Sequence, residues 1–205
     1  MPKGSPALTS ARKEEIVSAC ARLYETKSFK DITLKDIGGA TSFTRTSIYN
    51  YFQTKEEIFL ALLARQYRLW VQDLDALIQS ADRPCRADAI DRFASSLAKR
   101  KVLLKLLSMN HYDMEENSRT ENLVEFKVAY GASLDAVRRY LAVFFDVTAP
   151  ADADRFIYAF FPFMFGIYPY TEVTEKQAAA MQCAGVSFAR QSIYDLIYHC
   201  VDRLL

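Results

Sequence analysis

Apolar residues recur at helical spacing along most of the chain. In residues 12–27 they fall at i, i+3, i+4, i+7 and i+8, which places them on one face of a helix. These residues are Ile16, Ala19, Cys20, Leu23 and Tyr24. The same spacing predicts a longer helix over about residues 55–80, ended by Pro84, and a final amphipathic helix over about 186–204. The pattern therefore predicts an all-α fold.

Capping residues predict where several helices begin. A hydroxyl residue followed three positions later by an acidic residue can form a capping box, and we predict three helix starts from such pairs. They are Thr33 with Asp36, Thr54 with Glu57, and Ser118 with Glu121. Thr44 is a further predicted N-cap, for a short helix that ends near Tyr49. We interpret residues 111–117, HYDMEEN, as a loop before the Ser118 cap.

Composition adds little to this picture, except in one uncharged stretch. The chain contains only 6 Gly and 6 Pro, as expected for long helices. Residues 156–171 carry no charge, but a membrane-spanning helix needs about 20 apolar residues, and this run includes Pro162 and Pro169. We therefore expect a buried helix here and no membrane association.

The charge pattern singles out the segment from Ile37 to Lys55. The net charge of the chain is +1, yet this segment contains no Asp or Glu. An acid-free surface suits a phosphate backbone, whose oxygens accept hydrogen bonds from tyrosine, serine and threonine hydroxyls. Two short helices joined by a turn are the outline of a helix-turn-helix motif, whose second helix enters the DNA major groove. Taken singly, Tyr49 and Phe52 could be core residues, and Lys55 a solvated charge.

Residues 32–62 resemble the DNA-binding domain of the tetracycline-repressor (TetR) family, and SIYNYFQTKE, residues 47–56, matches the family's signature position by position. The resemblance implies a helix-turn-helix domain over residues 1–54 and a helical effector-binding and dimerisation domain over 55–205, with the helix at about 55–80 shared. It also implies a regulator, usually a repressor, while the scattered cysteines and the lack of an evident signal peptide indicate a cytoplasmic protein with reduced thiols. Such a protein binds palindromic double-stranded operator DNA as a homodimer and is released by a small apolar or amphipathic effector.

The resemblance assigns roles to individual positions of the motif. Phosphate contacts are expected from Tyr49, Tyr51 and Lys55. Base or nearby backbone contacts are expected from the recognition helix, at Arg45, Thr46, Ser47 and Asn50. Lys35 stands at the start of the first short helix, and Thr44 caps the second. The expected core of the motif is Ile37, Phe43, Ile48 and Phe52. Ser42 occupies a turn position where the family usually has glycine.

The C-terminal part is rich in aromatic residues and poor in candidate catalytic groups. The helix around residues 156–171 is apolar on more than one face, which indicates burial against a pocket, a subunit interface or ordinary core. The resemblance implies a ligand pocket, and we predict its lining from the helices concerned. The predicted residues are Tyr67, Trp70, Phe126, Tyr130, Phe160 and Met164. Dimerisation is predicted through residues 152–170 and 186–204.

Enzyme and metal chemistry are not predicted. No nucleophile or phosphate-binding motif is present, and the two histidines, His111 and His199, lie far apart in sequence. The four cysteines lack metal-ligand spacing, so no metal, cofactor or disulfide is expected, and no signal peptide is evident. Two alternatives remain: a constitutive DNA-binding protein without an effector, and a helical-bundle enzyme. The aromatic helix has few ionisable groups, which disfavours the enzyme.

Overall fold

The computed structural model of the protein describes residues 5–42, 44–80, 82–109 and 111–205, and it describes Arg45 and His111 without their side chains. Within these ranges the chain forms eleven α-helices and no strand, which confirms the predicted all-α fold. The helices are α1 (Pro6–Thr26), α2 (Leu34–Gly39), α3 (Arg45–Ile48), α4 (Lys55–Gln79), α5 (Arg86–Ala98), α6 (Lys101–Leu107), α7 (His111–Glu116), α8 (Thr120–Phe145), α9 (Pro150–Thr171), α10 (Glu175–Cys183) and α11 (Ile193–Leu204).

The helix starts follow local capping chemistry. Before α2, the amide of Asp36 donates to Thr33 Oγ1 at 3.2 Å and the amide of Thr33 donates to Asp36 Oδ2 at 2.9 Å, which confirms the predicted capping box. Helix α1 begins earlier than the predicted residue 12. Its N-cap is Ser5, whose hydroxyl accepts from the Leu8 amide at 3.3 Å, and proline follows at the first helical position.

Two predictions near residues 111–121 are wrong. The segment interpreted as a loop contains α7, whose last carbonyls accept hydrogen bonds from side chains: Asn117 Nδ2 donates to the Asp113 carbonyl at 2.7 Å, and Ser118 Oγ donates to the Met114 carbonyl at 2.6 Å. Ser118 therefore terminates α7 and does not cap α8. The first backbone acceptor of α8 is the carbonyl of Arg119, which receives the Leu123 amide at 3.1 Å.

The last helix is also shorter than predicted. It begins at Ile193, after a capping box in which Ser192 Oγ accepts from the Asp195 amide at 3.0 Å. The predicted start near residue 186 is wrong because this box fixes the first turn later, and Phe188 lies outside the helix with its side chain 37% exposed.

The chain divides into two compact units. The first comprises the described residues within 1–66 and 110–130, and the second those within 67–109 and 131–205. In the core of the first unit, the ring of Phe59 meets Tyr24 edge-on at 5.2 Å and Phe29 at 4.8 Å between centroids. Across the described ranges, every helix is too short or too polar to cross a lipid bilayer.

The second unit is built around buried aromatic rings. The ring of Phe93 lies 6.0 Å from Trp70 and 5.4 Å from Phe160, and Phe161 lies 6.1 Å from Trp70. The indole N–H of Trp70 donates to Ser96 Oγ at 3.2 Å, and that hydroxyl donates to the Phe93 carbonyl at 2.7 Å. The polar atoms that accompany these rings into the core are thus hydrogen-bonded, as burial requires.

Candidate DNA-binding interface

Helices α2 and α3 form two short, adjacent helices that are held by a small apolar core. Helix α2 contacts both α1 and α3. The side chains of Ile37, Ile48 and Phe52 are at most 2% exposed, which confirms them as core residues of the motif. Phe43, the fourth predicted core residue, lies outside the described residues. The arrangement is the two-helix outline predicted from the sequence.

The opposite side of α3 and the start of α2 carry exposed polar residues. The exposed members of the predicted DNA-binding set are Lys35, Thr44, Thr46, Tyr49 and Asn50, while Ser47 and Tyr51 are half-buried. Thr44 stands at the N-cap position, but its hydroxyl makes no bond to the helix backbone and instead lies 3.2 Å from Ser47 Oγ. The side chain of Arg45 lies outside the described residues.

The turn after α2 is held by side chains of α1. Glu15 accepts the Ser42 amide at 2.6 Å and the Ser42 hydroxyl at 3.1 Å, and Arg22 Nη2 donates to the Ala40 carbonyl at 2.9 Å. These bonds from Ser42 lower the pKa of Glu15. Among the described residues other than glycine, only Asp146 has a positive φ, so Ser42 does not adopt the left-handed conformation that would favour glycine. Glu15 was not predicted to take this role, because 27 residues separate it from Ser42.

The ammonium of Lys55 forms its hydrogen bonds with backbone carbonyls of the first unit. It donates to the carbonyls of Phe29 at 3.0 Å and Ile32 at 3.3 Å, and lies 4.1 Å from the centroid of the Phe29 ring. An ammonium has three donors, so these two bonds leave one for another acceptor. The expected phosphate contact of Lys55 stays a prediction.

The segment that follows α3 is held by a buried carboxylate. Glu57 is fully buried, and its Oε2 accepts the Gln53 amide at 2.7 Å. The guanidinium of Arg119 binds the same carboxylate twice, through Nε to Oε1 at 2.6 Å and Nη2 to Oε2 at 3.0 Å. The predicted capping box at Thr54 is therefore half wrong. Thr54 Oγ1 does accept the Glu57 amide at 3.2 Å, but the Glu57 side chain turns to Gln53 and Arg119.

Further bonds attach the same segment to the start of α8. Arg119 Nη2 also donates to the Tyr51 carbonyl at 3.1 Å, and Thr54 Oγ1 donates to the Asn117 carbonyl at 3.0 Å. Burial alone would raise the pKa of Glu57, but the bonds from Arg119 and from the Gln53 amide outweigh it and lower the pKa below its ordinary value. Arg119 was missed because 62 residues separate it from Glu57 and no local spacing relates them.

The six residues predicted to line a ligand pocket fall into two groups. Phe126 and Tyr130 belong to the first unit, where their ring centroids lie 6.3 Å apart. The other four belong to the second unit and are at most 1% exposed: Tyr67, Trp70, Phe160 and Met164. In the ranges that the structure describes, no group of three or more His, Cys, Asp or Glu side chains could hold a metal ion.

Two family descriptions match the sequence and together cover most of the chain. Residues 16–62 match the family described as bacterial regulatory proteins, tetR family. Residues 64–191 match the family described as tetracyclin repressor-like, C-terminal domain. No match was found among curated proteins.

Solved structures of low sequence identity share the fold. A protein assigned to the TetR family of transcriptional regulators, from Mesorhizobium loti MAFF303099, is 11% identical, with a TM-score of 0.62 and 96% of each chain covered. Thermus thermophilus FadR, a TetR-family transcriptional repressor solved with lauroyl-CoA, is 15% identical, with a TM-score of 0.59 over 94% of this chain and 92% of that chain. The fatty acid degradation regulator FadR from Bacillus halodurans is 14% identical, with a TM-score of 0.53 over 99% and 96%.

Proposed function

The chain belongs to the TetR family of transcriptional regulators, and from this premise we propose that it is a ligand-responsive repressor. It binds palindromic operator DNA as a homodimer and leaves the DNA when a small apolar or amphipathic effector binds. The observation that carries this proposal is the exposed, acid-free side of α3, whose opposite side is buried through Ile48 and the following Phe52.

The proposed DNA contacts divide by chemistry. Hydroxyl and ammonium groups serve phosphates, whereas the amide and guanidinium of the recognition helix can read base edges. The proposed phosphate contacts are Lys35, Thr44, Tyr49, Tyr51 and Lys55, and the proposed readers of bases or nearby backbone are Arg45, Thr46, Ser47 and Asn50. The N–H groups at the start of α4, beside Lys55, add a positive helix end that favours a phosphate.

The proposed homodimer uses α9 and the C-terminal residues 186–204. One side of α9 is buried in the second unit, while its other side exposes an apolar stripe: Tyr158, Ala159, Pro162, Phe165, Pro169 and Tyr170. Tyr158 is 77% exposed and Tyr170 is 65% exposed. A contiguous apolar surface of this kind marks an interaction site. Helix α10 has no buried residue, so a second copy would also give it a packing partner.

The proposed effector site is confined to the second unit, around Trp70, Phe160 and Met164. These side chains are buried and almost wholly apolar, which suits a hydrophobic ligand. Because the Thermus thermophilus relative was solved with lauroyl-CoA, that molecule is the first effector to test. The rings also pack closely on Phe93, and close packing of this kind favours the alternative of a constitutive DNA-binding protein without an effector.

The test begins with selection of duplexes from a randomised pool by the wild-type protein. We expect an enriched palindrome, bound by two chains, and a loss of about 1–3 kcal/mol in binding free energy for Arg45→Ala if that side chain reads a guanine. Lys55→Ala should weaken all duplexes and lower the salt slope by about one. Absence of any enriched duplex, or a stable monomer in light scattering at micromolar concentration, would contradict the proposal.

The effector part is tested by binding linkage. An effector that releases the protein must bind more weakly when operator is present, by the same factor by which it weakens operator binding. Lauroyl-CoA affinity is therefore measured with and without saturating operator. Equal affinities, for a ligand whose binding Trp70→Phe reduces, would exclude it as a regulator and favour the constitutive alternative.

A further inference from the structure

We propose that Arg119, at the start of α8, is a positioning residue for the recognition helix. It fixes the segment of residues 51–54 that follows α3, and through that segment it sets operator affinity. The inference deepens the proposed function and rests on it for its DNA-binding part. Arg119 lies outside the helix-turn-helix motif in sequence, and it needs no contact with DNA for this role.

Residues 51–54 are joined to α3 by backbone hydrogen bonds. Helix α3 has only four residues, and its last carbonyl, that of Ile48, accepts the Tyr51 amide at 2.8 Å and the Phe52 amide at 2.9 Å. The segment is thus the direct backbone continuation of the recognition helix. A displacement of Tyr51 would be passed to Ile48 through these bonds, because only two residues separate Tyr51 from Ile48.

Arg119 attaches to this segment at two places, directly and through Glu57. The guanidinium binds the Tyr51 carbonyl directly at 3.1 Å, and it binds the Glu57 carboxylate that accepts the Gln53 amide. One planar cation therefore holds both ends of a three-residue stretch of backbone. The backbone N–H of Arg119 adds a fourth bond, to Glu57 Oε1 at 3.1 Å, which fixes the arginine main chain as well as its side chain.

The two partners of this ion pair differ in burial. Glu57 is fully buried, whereas the Arg119 side chain is 41% exposed, so the arginine is the removable partner. Without it, the Glu57 charge would be left in the interior without its main compensation, and the carboxylate would have to find water or another donor. Glu57 could then no longer hold the Gln53 amide in its present place. Loss of Arg119 should therefore release residues 51–54 rather than only remove one surface charge.

The experiment compares four proteins with the wild type. Arg119→Gln removes the cation, Arg119→Lys keeps the charge, and the double variant Glu57→Gln with Arg119→Gln removes both charges. Lys127→Gln is the matched control. It breaks the exposed ion pair with Glu115, 2.7 Å long, which also involves α8 within the first unit. Each protein is measured by amide hydrogen exchange without DNA, and by affinity for the selected duplex over a range of salt concentrations.

For Arg119→Gln we expect exchange over residues 51–54 to accelerate at least about tenfold, since local opening becomes easier, while residues 34–39 of α2 keep their rates. Operator affinity should fall about tenfold with an unchanged salt slope. Arg119→Lys should keep only part of the exchange protection of residues 51–54 and part of the operator affinity. An ammonium lacks the planar fork that binds Glu57 and Tyr51 together. Compared with Arg119→Gln, the double variant should regain thermal stability, because no buried charge is left unpaired, but it should not regain operator affinity. The control should match the wild type.

Several outcomes would overturn the proposal. A salt slope lowered by about one in Arg119→Gln would make Arg119 a phosphate contact instead of a positioning residue. Unchanged exchange over residues 51–54 would show that Arg119 does not hold the segment. If Arg119→Gln lowers the melting temperature but its folded fraction binds the selected duplex as tightly as the wild type, Arg119 has a purely structural role. If the wild type binds no duplex, the proposed function fails, and hydrogen exchange alone still decides whether Arg119 holds this segment.

Discussion

The two units are stabilised by different kinds of interaction around their key residues. In the first unit, short segments are held by charged side chains that bond to backbone groups: Glu15 to Ser42, Lys55 to Phe29, and Glu57 to Gln53. In the second, Trp70 and its neighbouring rings pack in a buried cluster. A four-residue helix such as α3 buries too little area to fix its own position, so directional bonds must do so, whereas long helices are positioned by the area that they bury.

The difference affects how function can be inferred. A directional bond between residues distant in sequence fixes one backbone position, so the bonds of Glu15 to Ser42 and of Arg119 to Tyr51 point to the parts of the motif that need precise placement. A buried aromatic ring, by contrast, serves a packed core and an apolar pocket equally well.

Trp70→Ala should lower the free energy of unfolding by about 3–5 kcal/mol, because it removes a large, fully buried side chain and leaves a cavity. Urea unfolding followed by circular dichroism provides the measurement. The matched control is Tyr112→Ala, at a side chain that is 85% exposed, and it should change stability by less than about 0.5 kcal/mol. A small loss for Trp70→Ala would mean that its surroundings close around the cavity, so that packing at this position is less specific than the contrast requires.

Glu57→Gln should cost about 1.5–3 kcal/mol at neutral pH, since hydrogen bonds to a charged group are lost or weakened. The pKa of Glu57 in the folded state lies below its ordinary value of 4.5, so its stabilising contribution is present above pH 4.5 and is lost as the pH falls through the lowered value. The stability difference between the wild type and the variant should therefore shrink in acid.

Urea unfolding at a series of pH values from about 3 to 7 tests this, since that range brackets ordinary carboxylate titration. Glu14→Gln, at a carboxylate that is 62% exposed, serves as the control for the same change in charge and should show little effect at any pH. A difference for Glu57→Gln that stays constant down to the lowest pH would contradict the assigned role of the buried carboxylate.

Thr33→Ala should cost about 1 kcal/mol, because the Thr33 hydroxyl caps α2 in a complete capping box. Thr44→Ala should change stability by less than about 0.5 kcal/mol, because its hydroxyl makes no cap bond, although it should weaken operator binding. Thermal unfolding and duplex affinity separate the two effects. If both variants lose the same stability, Thr33 and Thr44 cannot be distinguished as a residue that holds the motif and a residue that contacts operator DNA.

Asp154→Asn should have the smallest effect, about 0.2–1 kcal/mol. Its ion pair with Arg138 in the second unit is 2.8 Å long, and the side chains of Arg138 and Asp154 are 38% and 42% exposed. Exposed ion pairs contribute little to stability. The loss measured by urea unfolding should diminish at high salt, where such charges are screened. A loss as large as that of Glu57→Gln would show that burial is not what distinguishes the ion pairs of the two units.

Much of the fold followed from local patterns. The spacing of Ile16, Cys20 and Leu23 predicted α1, and the Thr33 capping box predicted α2, because helix faces and caps depend on neighbours within a few residues. Predictions were wrong where two local signals competed. Ser118 has an acidic residue three positions later, yet it bonds back to Met114 and ends α7, because a hydroxyl can serve a preceding carbonyl as readily as a following amide.

The candidate site was also only partly predictable. The exposed polar positions of α3 could be assigned because the buried Ile48 and Phe52 fix which side faces outward. The bonds that hold α3 could not, because Glu15 and Arg119 are far from their partners in sequence. The number of possible pairs between distant charged residues is large, and no periodicity selects among them.

The sequence by itself determined that this chain is all-helical, where α2, α3 and α4 begin, and which short segment carries the acid-free motif, since these follow from side-chain periodicity and local hydrogen bonding. Only the tertiary structure decided that Lys55 bonds to Phe29 and Ile32, and that Glu57 joins Gln53 to Arg119. These contacts depend on which surfaces come together when the apolar faces are buried, and hydrophobic packing is too non-directional to specify distant polar partners in advance.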